Sequence, residues 1–247
     1  MKGFERYQRI LINEVDKFLN KESLIENSKY QNAFKNHIFG LSGPKQFSKK
    51  QIPSEVFFTK LFYGFIEISD SYSCLKDTET YIGSFPYRNA KISQTRYLAY
   101  HFENYLNEIY LLKERLRSYL KSIGRQYKND RRYRIISKNT SSLTDWVDNC
   151  LKGIINSRGS HVHQTRFSAE DLDRLKTQEF LTLHGGKELK IIKDLFKRDY
   201  GNTRKKYKQI IKENNQQVKI FLDTFFVILM KIVANNEGRI RYPQIGN

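Results

Sequence analysis

Residues 98–123 read LAYHFENYLNEIYLLKERLRSYLKSI. The apolar residues Leu98, Phe102, Tyr105, Ile109, Leu112, Leu116, Tyr119 and Ile123 follow one another by alternating steps of four and three. Side chains so spaced fall on one stripe of an α-helix, so the stretch predicts a helix of about seven turns with a single apolar seam. Gly124 stands where the seam stops, and glycine tolerates the left-handed conformation of a helix C-terminus.

The same period extends in both directions. Phe4, Tyr7, Leu11, Val15 and Phe18 predict a first helix over about 4–20. Pro53-Ser54 opens a second, with Phe57, Phe58, Leu61, Phe62, Phe65 and Ile66 on its buried face, and Gly83 and Pro86 mark its end. After the seam helix comes a basic loop. Ser142-Leu-Thr-Asp145 has the form of a capping box, followed by a stripe of Leu143, Trp146, Val147, Cys150, Leu151, Ile154 and Ile155. Ser168-Ala-Glu-Asp171 is a second box, opening a helix that Gly185-Gly186 closes. A last helix is expected over about 203–235, with Ile210, Val218, Phe221, Phe225, Leu229 and Ile232 as its seam. No strand alternation and no repeat is visible. The expectation is an all-α chain, an antiparallel bundle over residues 89–247 with an N-terminal helical extension over 1–88.

Composition narrows the function classes. The chain has 247 residues, 44 Lys plus Arg against 26 Asp plus Glu, and a net charge of +18. Aromatics make up 14% and prolines number four, which excludes collagen-like and low-complexity disordered chains, because so much ring surface must go inside. Cys74 and Cys150 are too few for a disulfide scaffold or a four-cysteine zinc site, and fit a reducing cytoplasm. The N-terminus is not followed by an apolar signal core. The most apolar stretch, residues 220–234, is shorter than the ~20 residues a membrane span needs and holds Asp223 and Lys231. The charge therefore points to a polyanion, nucleic acid before a membrane surface, with no membrane partner expected.

Nucleotide-cradling glycine loops and HExxH are absent. His161 and His163 alternate, but no carboxylate neighbours them, so no metal or other cofactor is expected. The informative segment is Ile154-Ile-Asn-Ser-Arg158-Gly-Ser160-His161-Val-His163-Gln-Thr-Arg166. It resembles the Arg-x(4–6)-His motif of the HEPN superfamily of helical-bundle ribonucleases, in which the motif follows an amphipathic helix. Ile154, Ile155, Arg158, Val162 and His163 fit that frame. The spacing also occurs at Arg96 and His101. Those two lie inside the seam helix, about 140° apart around it, and would not converge on one phosphate. Arg158 and His163 are expected at a break between two helices, assisted by Gly159.

The resemblance implies a metal-independent endoribonuclease that cleaves single-stranded RNA by attack of the 2′-hydroxyl. His163 would act as base or acid, since its ordinary pKa is near 6.5, and Arg158 would grip the phosphate. It further implies a homodimer with a composite active site, and a role as a toxin or anti-phage effector with an antitoxin or regulatory protein as partner. Active members usually carry Asn, Asp or His after the motif arginine. Gly159 stands there in this chain, so Ser160 or His161 would supply the polar support. The other reading is a catalytically inactive HEPN-like module that binds RNA or protein.

Residues 113–139 contain ten Lys or Arg against Glu114 and Asp130, a net of +8. Arg125, Lys128, Arg131, Arg132 and Arg134 are candidates to hold RNA, as is Arg166 after the motif. Tyr127 and Tyr133 are candidates to stack on unpaired bases. Residues 187–219 carry a further net of +7, read as a solvated helix face.

Overall fold

The computed structural model describes residues 2–20, 53–84, 92–162, 170–186 and 190–244, with the side chains of 17–20, 53, 55 and 153–162 outside that description. The described residues are almost wholly helical, in six helices: α1 (Gly3–Asn20), α2 (Pro53–Gly83), α3 (Gln94–Gln126), α4 (Tyr133–Val162), α5 (Glu170–His184) and α6 (Lys190–Val233). The only extended pairing among them is an isolated bridge between Ala234 and Ile240. All eight residues of the α3 seam are buried.

Three helix boundaries depart from the expectation. α3 runs past Gly124 to Gln126. α4 begins at Tyr133, so Ser142 is an exposed interior residue and caps nothing. α6 begins at Lys190, well before 203. Its early turns bury Phe196, Tyr200, Thr203, Tyr207 and Ile211, a seam hidden in a run of lysines and arginines that are themselves good helix formers. Ile211 rather than Ile210 is the fully buried residue of that turn.

The chain divides into two compact units, each drawn from several segments. The first comprises Met1–Ile68, Arg115–Val147 and Ile220–Asn247. Its core centres on rings. Tyr7 stacks on Phe226 at 4.9 Å, and Phe65 stands edge-on to both at 5.6 and 5.4 Å. The buried Tyr119 hydroxyl donates to the Leu61 carbonyl at 2.9 Å and accepts from the Tyr7 hydroxyl at 2.5 Å. Burial pushes both phenols well above their ordinary pKa. Gly64 is required here: a Cβ on it would stand 2.4 Å from the Tyr119 ring.

The second unit comprises Ser69–Glu114 and Asp148–Lys219. Leu75, Ile82, Leu98, Tyr105, Ile109, Leu112, Leu172 and Leu175 are buried in it. Tyr105 donates to Asn215 Oδ1, and Asn215 Nδ2 donates to the Leu75 carbonyl, so a buried amide is satisfied at both ends. The first turn of α3 is capped by a side chain from another helix. Glu179 of α5 accepts from Ser93 Oγ (2.6 Å), Gln94 N (2.7 Å) and Thr95 N (3.3 Å). A carboxylate there satisfies free amides and faces the positive end of the helix dipole.

Candidate nucleic-acid interface

The turn joining α3 to α4, residues 127–132, belongs to the first unit and is built around Asp130. Its side chain is fully buried. It accepts from Arg132 N (2.8 Å), Arg132 Nε (2.8 Å), Arg132 Nη2 (2.6 Å) and Gln244 N (2.7 Å). Arg132 Nη2 also donates to the Tyr242 carbonyl at 3.0 Å. The paired guanidinium, first, and the backbone amides hold the Asp130 carboxyl far below the usual carboxylate range, against the opposing effect of burial. The turn is thereby tied to the C-terminal segment. That segment is itself ordered by a turn at Asn235, whose Oδ1 accepts from Arg239 N, and by Gly238 at φ +76°.

Tyr127 is 0% exposed, and this corrects its expected role in base stacking. Its ring meets Phe57 edge-on at 5.2 Å, the Arg132 guanidinium lies over it at 5.4 Å, and its hydroxyl donates to the Arg241 carbonyl. Arg132 is likewise committed to the protein, forming part of the clamp. Its neighbours face outward. Arg125, Lys128, Arg131 and Arg134 are exposed, and Tyr133 is 41% exposed. The turn's own carboxylate is buried and neutralised by Arg132, so its rim carries only positive charge beside one accessible ring. Backbone phosphates and an unpaired base are the ligands this chemistry suits.

The motif residues fall at the other end of α4. Arg158, Ser160 and His161 lie on helical backbone, since α4 continues unbroken through Gly159 to Val162. Gly159 itself therefore does not interrupt the helix, and the junction after Val162 lies outside the described residues. Glycine weakens a helix by about 1 kcal/mol and does not by itself end one. The side chains of Arg158, Ser160 and His161 are outside the description, and His163 and Arg166 lie outside the described residues altogether. Arg158 follows Tyr133 by about seven turns of helix, so the basic turn and the motif are not adjacent along α4.

Elsewhere, Arg96 is exposed on α3 and His101 is half-buried there. Cys74 and Cys150 are exposed and not joined in a disulfide. Among the described residues no three His, Cys, Asp or Glu side chains group to hold a metal, and no helix is long and apolar enough to cross a membrane. The Asp130 clamp and the Glu179 cap were not evident in the sequence. The signal for the first was Asp130 placed two residues before Arg132 at a helix start, a common turn-forming arrangement. No protein-family model, curated protein or solved structure matches the chain.

Proposed function

We propose that the chain is a metal-independent endoribonuclease of HEPN type, acting on single-stranded RNA as a toxin or anti-phage effector in the cytoplasm. The observation that carries the reading is the sequence Arg158-Gly-Ser-His-Val-His163, which begins within an amphipathic helix of a strongly basic chain whose described residues are almost wholly helical. Residues 89–247 would supply the HEPN-like bundle and 1–88 the extension. His163 removes the proton from a ribose 2′-hydroxyl, and the oxygen attacks the adjacent phosphorus. The bond to the 5′-oxygen of the next nucleotide breaks, that oxygen takes up a proton, and a 2′,3′-cyclic phosphate remains. Arg158 balances the charge developing on the phosphate oxygens. The resemblance places two such motifs across a dimer axis and leaves a place for an antitoxin or other regulator.

A second reading has its own support. Helical backbone through Gly159, with no polar side chain after Arg158, favours an inactive HEPN-like module that binds RNA or a protein. Incubation with single-stranded RNA in EDTA separates the two. Cleavage that both Arg158→Ala and His163→Ala abolish supports the endoribonuclease. Binding without cleavage supports the module, and unimpaired cutting by His163→Ala rejects the site assignment.

A further inference from the structure

The second unit holds an aromatic cluster that the proposed chemistry does not use. Tyr81 ends α2, while Tyr97, Tyr100 and His101 lie on the first turns of α3. The His101 ring is 5.3 Å from Tyr81, 4.3 Å from Tyr97 and 5.4 Å from Tyr100. Tyr97 and His101 meet because they are one turn apart on the same helix. The Tyr97 hydroxyl reaches the carbonyls of Tyr81 (3.2 Å) and Ser84 (3.0 Å), which fixes α2's last turn against α3's first. Burial lowers the His101 pKa, so the imidazole is neutral at pH 7 and serves as a ring rather than a charge. The outer two rings are held by this arrangement yet left in solvent: Tyr81 is 48% and Tyr100 59% exposed.

One cation stands beside the rings. Arg96, exposed, precedes Tyr100 by one turn on the same face of α3. Accessible rings in fixed orientations with a guanidinium one turn away suit one ligand chemistry, a planar base attached to phosphate. We propose that Tyr81, Tyr100 and His101 form a stacking platform for unpaired bases of single-stranded RNA, with Arg96 on a neighbouring phosphate. The platform deepens the reading of the chain as an RNA-acting protein and rests on it for the choice of nucleic acid.

The test measures binding of a short 2′-O-methyl oligouridylate, which lacks the attacking hydroxyl and cannot be cut. Tyr100→Ala weakens binding on the order of tenfold, while the slope of log affinity against log salt stays that of the parent. Tyr81→Ala acts in the same direction, and Tyr100→Phe keeps parental affinity because the ring remains. Both positions are exposed, and circular dichroism confirms that the variants fold. A Tyr81→Ala/Tyr100→Ala protein that binds as the parent does, or a parent that does not bind, overturns the platform. If that double variant binds normally while the parent still cuts ordinary RNA, only the platform falls. If the parent binds through these tyrosines but cuts nothing in EDTA, the platform stands and the endoribonuclease reading falls.

Discussion

Asp130 shows how one carboxylate sorts a basic segment into inward and outward groups. Its four acceptor contacts leave no buried charge uncompensated in the turn, and they turn Arg132 inward over Tyr127. Asp130→Asn keeps the shape but opposes the Arg132 donors with an amide N–H. The expected cost is about 2–3 kcal/mol, since a buried partner of a charged pair is lost while the arginine retains partial access to water. The pH dependence has a definite sign. The folded pKa is depressed, so the stabilisation is fully present above the unfolded value of about 3.9. It is lost as pH falls through the lower folded value. Urea unfolding at a series of pH values is therefore expected to show the deficit of Asp130→Asn at pH 7 shrinking towards pH 2. A deficit independent of pH would mean that packing, not the charge, is what the substitution removes.

At the scale of elements, two substitutions probe where helices begin. Glu179→Ala removes the carboxylate that caps α3 from outside the helix, and is expected to cost about 1–2 kcal/mol. Hydrogen exchange should quicken at the amides of Gln94 and Thr95 before it does elsewhere in α3. Ser142→Ala distinguishes the expected cap from the observed helix interior. At a true N-cap it would destabilise by about 1 kcal/mol. Inside α4, on an exposed turn, it should instead stabilise by about 0.5 kcal/mol, because alanine is the better helix former. Urea midpoints decide the sign. The contrast also explains which elements were legible in the sequence. The α3 seam could be read because a long apolar period is a sum of many agreeing residues. The starts of α4 and α6 could not, because a capping box is one local preference of about 1 kcal/mol. Buried contacts made by Ile136 and Thr140 in one helix, and by Phe196 and Tyr200 in the other, outweigh it.

For the molecule as a whole, the sequence locates positive charge but not the direction it faces. Arg131, Arg132 and Arg134 are indistinguishable in composition, as are Tyr127 and Tyr133. What separates them is contact with Phe57, Arg241 and Tyr242, residues about seventy to more than a hundred positions away in the chain. No local reading carries that information. The aromatic cluster around His101 was hidden for the same reason, since Tyr81 reaches it from another helix. The distinction has a measurable consequence for nucleic-acid binding. Each cation that neutralises a phosphate on a single strand contributes about 0.7 to the slope of log affinity against log salt. Arg131→Gln/Arg134→Gln should therefore weaken binding of the 2′-O-methyl oligouridylate and flatten the slope by about 1.4. Its urea midpoint should not move, because both side chains are exposed. Arg132→Gln should do the opposite, lowering the midpoint by leaving buried Asp130 unpaired while changing the slope little. If Arg132→Gln flattens the slope and the double variant does not, the outward rim of the turn is not where the backbone is held.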